Sequence, residues 1–298
     1  GSRASKLALN YAERAKNEIC SKLNIKEKNL EIKKITTEGD KIKDVRLSDT
    51  GGKGLFSKTI ENELLNNKID IAVHALKDMP SDETSGLTTN CFLERNDPRE
   101  VLISRDKKKF NDLNKGSIIG TSSFRREFQL KRIRNDLKYK LIRGNVDTRI
   151  KKLNEKNFDA IILSFAGLHS LKLDQNITQI FSTSEIIPSA GQGTIALQCR
   201  ENDGEIIKIL KKINHELTYK CVIAERDVLK TLNGDCETPV GVFANIKNNE
   251  LNLETELFSL DGKDRFYESL STELKNFKKI GLEVGTILKK KSKNSYKR

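Results

Sequence analysis

An α/β fold with a separate α+β region at its C-terminal end is what this sequence predicts, on three observations. Short apolar runs alternate with helical patterns over most of the 298 residues, the signature of strand–helix layers with largely parallel sheets. The composition shifts at Asp97-Pro98-Arg99 and again at Pro188-Ser189-Ala190-Gly191-Gln192-Gly193, two expected crossover hinges. After His215 the pattern becomes a helix, a loop, strands and a last helix. Length alone suggests about two domains of roughly 150 residues, with three small ones possible.

Each element has its own signal. Residues 56–65 have helical apolar spacing and lead into a strand at 69–75. A strand at 117–120 runs into Thr121-Ser122-Ser123, where a hydroxyl caps the helix Phe124–Ile133. Residues 139–144 read as a strand, Asp147 as a cap, and 148–153 as the start of a helix. Residues 158–164 form another buried strand. The last region reads as a helix over 217–232, strands over 240–244 and 251–260, and a helix over 271–288.

Composition narrows the function. There are 55 Lys+Arg against 42 Asp+Glu, a net charge of +13, and no apolar run approaches a membrane span of roughly 18 residues. Four Pro and 18 Gly exclude collagen-like sequence and long disordered linkers. The charge invites a nucleic-acid partner, but Lys107-Lys108-Lys109, Lys151-Lys152 and Lys289-Lys290-Lys291 read as solvated faces. With 6% aromatic residues and no recognised nucleic-acid motif, that reading rests on charge alone. The five cysteines (Cys20, Cys91, Cys199, Cys221 and Cys236) are odd in number and lack CxxC or Cys/His spacing. A reducing compartment without a metal site or disulfide framework is therefore expected. The opening Gly1-Ser2-Arg3-Ala4-Ser5 has no apolar signal core, so secretion is not expected.

Four segments carry candidate chemistry. Thr121-Ser122-Ser123-Phe124-Arg125-Arg126 places three hydroxyls, backbone N–H groups and two guanidinium forks at a helix start, an anion site suited to carboxylates or phosphates. An ordinary cap followed by surface arginines would look the same. Arg143 and Arg149 favour the anion site, since the strand end where they fall is where open α/β sheets bind ligands. His74-Ala75-Leu76-Lys77-Asp78-Met79-Pro80 ends a strand on a cation and a carboxylate; Asp78 there can stabilise a cationic intermediate or move a proton, or the two can be a solvated loop pair. His74 reads as a packed core histidine. The three glycines around Lys53 in Gly51-Gly52-Lys53-Gly54 lack P-loop spacing and suit a flexible lid over 41–54. Cys236, between Gly234 and Pro239, is either an incidental exposed thiol or a covalent attachment point, with no neighbouring His to act as a base. The residues alone end at a multidomain α/β protein that binds a polycarboxylate and carries one candidate reactive thiol.

Taken in order, these segments resemble the porphobilinogen deaminase family over nearly the whole chain. The resemblance rests on Gly1-Ser2-Arg3-x-Ser5-x-Leu7-Ala8, Gly51-Gly52-Lys53-Gly54-Leu55-Phe56, and Val73 to Pro80. It continues through Gly120-Thr121-Ser122-Ser123-x-Arg125-Arg126, Arg143-Gly144-Asn145-Val146-x-Thr148-Arg149, Gly191-Gln192-Gly193 and Gly234-x-Cys236-x-x-Pro239. It implies two α/β lobes of the periplasmic-binding-protein type and a small C-terminal α+β domain carrying the cysteine. The expected division is 1–95 with 194–213, then 96–193, then 214–298.

The resemblance also implies a dipyrromethane cofactor on Cys236 through a thioether. Four porphobilinogen molecules would be condensed head to tail with loss of ammonia, and the chain released by hydrolysis as hydroxymethylbilane. Asp78 would stabilise the cationic pyrrole. Lys77, Asp78, Thr121, Ser122, Ser123, Arg125, Arg126, Arg143 and Gly144 would hold the cofactor, and Arg3, Ser5, Phe56, Arg149 and Gln192 the substrate; the pyrroles' acetates and propionates suit bidentate arginines. A monomer in cytoplasm or plastid stroma, without a nucleic-acid or membrane partner, is expected. Three positions depart from the family pattern: Ala75 stands where Ser is usual, Ser170 where Arg is common, and Asp235 where Gly is frequent. A non-catalytic two-lobed binding module is the competing reading, and it leaves Cys236 idle.

Overall fold

The computed structural model describes residues 1–41, 54–235 and 237–297. Strand Ser2–Arg3 (β1) lies parallel to Lys34–Ile35 (β2), with helix Lys6–Leu23 (α1) between them. Ser5 caps α1 by accepting from the Ala8 N–H at 3.4 Å, and Asn24 ends the helix in the left-handed region at φ 53°. Tyr11, Ala12, Ala15 and Ile19 share the buried face of α1. The short helix Glu38–Lys41 (α2), helix Lys58–Leu65 (α3), and strands Ala72–Ala75 (β3) and Leu87–Phe92 (β4) complete this stretch of the first lobe.

The second lobe is a five-stranded sheet in the order β7-β6-β8-β5-β9. Its strands are Glu100–Ser104 (β5), Ile118–Gly120 (β6), Lys138–Lys140 (β7), Ala160–Ser164 (β8) and Gln179–Ile180 (β9). Helices Phe124–Ile133 (α4), Val146–Asn154 (α5) and Phe165–Ser170 (α6) connect or follow them. The chain then returns to the first lobe as Ile195–Arg200 (β10), which lies between β3 and β4 and antiparallel to both. Helix Gly204–Ile213 (α7) packs over that sheet with α1.

The expectation of largely parallel sheets is corrected. Among the described residues, only β6 with β7 and β8, and β1 with β2, run parallel. The cause is the pair of crossovers: β10 arrives from the opposite lobe, and β5 runs against both β8 and β9. Neither strand is fed by the local strand–helix–strand unit that would make its pairing parallel.

The third domain packs helices Glu216–Leu232 (α8) and Phe277–Ser292 (α9) on an antiparallel meander. The meander consists of Val240–Lys247 (β11), Glu250–Phe258 (β12) and Arg265–Glu273 (β13). Here the sequence misleads: residues 271–273 belong to β13, and α9 starts six residues later than expected. Phe266, Leu270 and Leu274 all pack on the core at a spacing of four, which fits one face of a strand as well as one face of a helix. Asn145 rather than Asp147 occupies the cap position of α5, and β7 stops at Lys140 instead of reaching Gly144. Among the described residues, no helix is long and apolar enough to cross a membrane.

Candidate active site

β3 delivers its last residues into a short 3-10 turn, Leu76–Asp78, at the edge of a cleft. Arg3, Ser5, Tyr11, Phe56 and Asp78 all line this cleft. Arg3 comes from the end of β1 and Ser5 from the cap of α1; the Arg3 guanidinium lies 4.0 Å over the Phe56 ring, a cation–π contact. His74 is buried, and desolvation pulls its imidazole down to about 4 despite the Gln198 hydrogen bond. It is a neutral core histidine.

Lys77 reaches towards the second lobe. Its Nζ donates to Ser164 Oγ at 3.4 Å and to Gln192 Oε1 at 3.3 Å. Burial lowers its pKa from 10.5 to about 8, with Asp78 and Glu100 opposing the shift and Arg126 and Arg125 adding to it.

The cationic charges that bear on Lys77 come from the start of α4. Thr121 Oγ1 accepts from the Ser123 N–H at 3.2 Å, and Ser123 caps the helix by accepting from the Arg126 N–H at 3.4 Å; Ser122 is part-exposed beside them. Arg125 and Arg126 are not surface forks: they are 4% and 6% exposed. Both pair with Glu100, a wholly buried carboxylate, Arg125 at 2.6 Å and Arg126 at 2.8 Å. Burial by itself would raise the Glu100 pKa, but the charges of Arg126, Arg125 and Lys77 outweigh it and hold the group near 2. Gln192 is also fully buried, donating to Glu100 Oε1 at 2.9 Å and to Pro98 O at 2.7 Å. It ties the two crossovers together.

Past β7 the chain turns through Arg143-Gly144, where Gly144 has φ 114° and a Cβ would meet the Thr148 side chain at 2.7 Å. Glycine is required there. Arg149, in the first turn of α5, donates Nε to Gly144 O at 2.8 Å. Its pKa is lowered to about 10, first by burial and then by Arg126 and Arg143, with Asp78 opposing the shift. Arg149 of one lobe thus lies within the field of Asp78 of the other.

The third domain approaches the same turn. Asn233 ends α8 at φ 52°, and Gly234 O accepts from Ser81 Oγ at 3.0 Å, three residues beyond Asp78. Asp235, the unusual residue of the sequence comparison, accepts the Glu237 N–H at 2.9 Å and the Thr238 N–H at 3.2 Å. Cys236 itself lies outside the described residues, as do Gly51, Gly52 and Lys53 of the expected lid. Cys91 and Cys221 are buried, with thiols pushed up to about 12, and buried Cys199 is raised as well; none is an accessible thiolate.

The sequence missed Tyr11 and Glu100. Tyr11 sits at a core position of α1 and reads as packing. Glu100 had a signal: a carboxylate opening the apolar run Val101-Leu102-Ile103 must find a cation if that run is buried. It also missed Glu225, which is fully buried, pairs with Arg95 at 2.6 Å and accepts the N–H groups of Gly191 and Ala244.

The cofactor fit can be judged from buried donors. Among the described residues, Arg126 Nε and Arg143 Nε are both buried without a hydrogen-bond partner, and a dipyrromethane brings acetate and propionate carboxylates that would satisfy such groups. The donor set fits the group.

Fold and site together define a two-lobed α/β protein with a third α+β domain, whose buried arginines present donors suited to carboxylates. The chain belongs to the porphobilinogen deaminase family, the transferases of tetrapyrrole biosynthesis that use a dipyrromethane cofactor. Residues 1–208 match the family model described as porphobilinogen deaminase, dipyromethane cofactor binding domain, and residues 219–290 match its C-terminal domain. The porphobilinogen deaminase of Alkaliphilus metalliredigens is 40% identical over 294 residues, covering 98% of this chain and 92% of that one. That of Staphylococcus epidermidis is 42% identical over 295 residues, covering 97% and 94%. Among solved structures, the periplasmic VFT2 domain of Bordetella pertussis BvgS is similar at a TM-score of 0.40 and 14% identity, covering 68% of this chain and 76% of that one. An arginine-specific periplasmic binding protein of Salmonella typhimurium gives 0.38 and 13%, covering 70% and 82%.

Proposed function

We propose that Asp78 is the group that stabilises the cationic pyrrole formed when ammonia leaves porphobilinogen, and that Cys236 carries the dipyrromethane through a thioether. The observation that carries this reading is the placement of Asp78 in the field of Arg149, which also feels Arg126 and Arg143. One fixed carboxylate among several cations suits a substrate with acidic arms and a cationic centre: the arginines bind the arms, and Asp78 faces the charge that develops. When bound, the cofactor supplies a nucleophilic pyrrole carbon on which the chain grows.

The protein's own groups then divide the work. Arg126 and Arg143 offer their unpaired Nε–H groups to cofactor carboxylates, with Lys77, Arg125, Thr121, Ser122, Ser123 and Gly144 around them. Glu100 holds Arg125 and Arg126 in place. Arg3, Ser5, Phe56 and Arg149 bind the incoming substrate. Gln192 supports the site through its hydrogen bonds to Lys77 and Glu100. Ser81 and Asp235 order the loop on either side of position 236. The separate sheets support a division into 1–95 with 194–213, 96–193 and 214–298. The chain acts as a monomer on this small molecule, in cytoplasm or plastid stroma, without nucleic acid.

Intact mass spectrometry tests the attachment. Purified protein should carry an adduct of two pyrrole units that Cys236→Ala abolishes. An adduct that persists in that variant, or maps to Cys20, Cys91, Cys199 or Cys221, overturns the assignment.

A further inference from the structure

Helix α8 holds both the turn that carries Asp78 and the loop that leads to position 236. Its buried side chains Val222 and Arg226 stand one turn apart on one face. Val222 shares an apolar cluster with Leu76 and Met79, the residues on either side of Lys77-Asp78. Arg226 Nη2 donates to Pro80 O at 2.7 Å and to Ser81 O at 3.3 Å. Pro80 has no N–H, so its carbonyl is the one backbone group by which it can be held. Just past the end of α8, Gly234 O accepts from Ser81 Oγ at 3.0 Å. The segment 76–81 is therefore fastened to the third domain on both sides of Lys77 and Asp78.

The strength of the second fastening lies in a charge. Arg226 is 9% exposed; burial lowers its pKa, and the carboxylates of Glu83, Asp227 and Asp82 oppose that shift. A guanidinium stays charged in such surroundings, and its bonds to carbonyls are roughly twice as strong as neutral ones. Asp78 and Met79 line the cleft while Arg226 does not, so its effect on the site passes through the backbone of the Asp78 turn.

We propose that Arg226 is a positioning residue: through Pro80 O and Ser81 O it fixes the backbone that aims Asp78, in register with the loop leading to position 236. The proposal rests on the role of Asp78 proposed above. An Arg226 that only joined the third domain to the first lobe would add stability and leave the work of Asp78 untouched.

A double-mutant cycle separates these roles, with turnover of porphobilinogen measured on folded protein of intact cofactor mass. Arg226→Met keeps much of the stem and removes the donors. With Asp78 present it should lower kcat about ten- to a hundredfold, the effect of a misplacement of about 1 Å, and leave KM within about threefold. In the Asp78→Asn background the same substitution should lower kcat by less than about twofold, because the charge it positions is gone. The unfolding midpoint should fall equally in both backgrounds. Arg226→Lys, which keeps the charge and can reach one carbonyl, should recover part of the kcat. It is also the probe if Arg226→Met does not fold, again with a kcat loss that needs Asp78. Equal kcat losses in the two backgrounds overturn the proposal. So does parental kcat in folded Arg226→Met (or in Arg226→Lys where it is the only folded variant), a loss confined to KM, or a loss of the cofactor mass. Near-normal turnover by Asp78→Asn alone would instead overturn the role of Asp78 on which the proposal rests.

Discussion

Glu100 and Arg125 meet at 2.6 Å in a site from which water is excluded: the carboxylate is 0% and the guanidinium 4% exposed. The same carboxylate pairs with Arg126 and accepts from Gln192, so α4 and both crossovers converge on one side chain. Removing one partner from a buried ion pair strands the other charge, at a cost of about 3–5 kcal/mol.

Glu100→Gln should therefore lower stability by that amount in urea at pH 7. Arg99→Gln, which breaks the part-exposed Arg99–Asp97 pair, should cost less than about 1 kcal/mol. The Glu100 effect has a pH signature. Its pKa lies near 2 in the folded chain against a usual 4.5, so the unfolded chain binds the extra proton between those values. The contribution is complete above about pH 4.5 and disappears as pH falls towards 2. The gap between parent and variant should close over that window; equal stabilities at pH 7 would contradict the account.

Lys77 should show the same upward slope with pH in a second, alkaline window. Its pKa is lowered from 10.5 to about 8, so between those values the unfolded chain holds a proton that the folded chain has lost. Stability then rises with pH across the window. In the Cys236→Ala background, which should lack cofactor carboxylates, the parental Lys77 form should gain up to about 3 kcal/mol relative to Lys77→Gln between pH 8 and 10.5. A constant difference across that range would show that Lys77 is not desolvated.

How far the sequence could be read depended on how local each signal was. The helix Phe124–Ile133 was legible to the residue, because Ser123, the apolar spacing and the break at Arg134 act within one element. Arg3, Ser5, Phe56 and Asp78 line one cleft although they are far apart in the chain, while Arg149 and Gln192 do not line it. The antiparallel entry of β10 was not legible, since it follows from a return between lobes more than a hundred residues after β4. Nor was the burial of Arg125 and Arg126: at the sequence level a guanidinium facing a ligand and one facing Glu100 look alike. β13 was lost because a spacing of four fits two periods at once.

The most direct test concerns Asp78. Asp78→Asn keeps the shape and hydrogen-bonding reach at the end of β3 but removes the negative charge that bears on Tyr11, Lys77 and Arg149. Turnover of porphobilinogen by this variant should be measured on protein with an intact cofactor mass and a parental unfolding midpoint. The account predicts a fall of at least about a hundredfold, or about 2.7 kcal/mol of lost transition-state stabilisation. Near-normal turnover by folded, cofactor-bearing Asp78→Asn protein would contradict it.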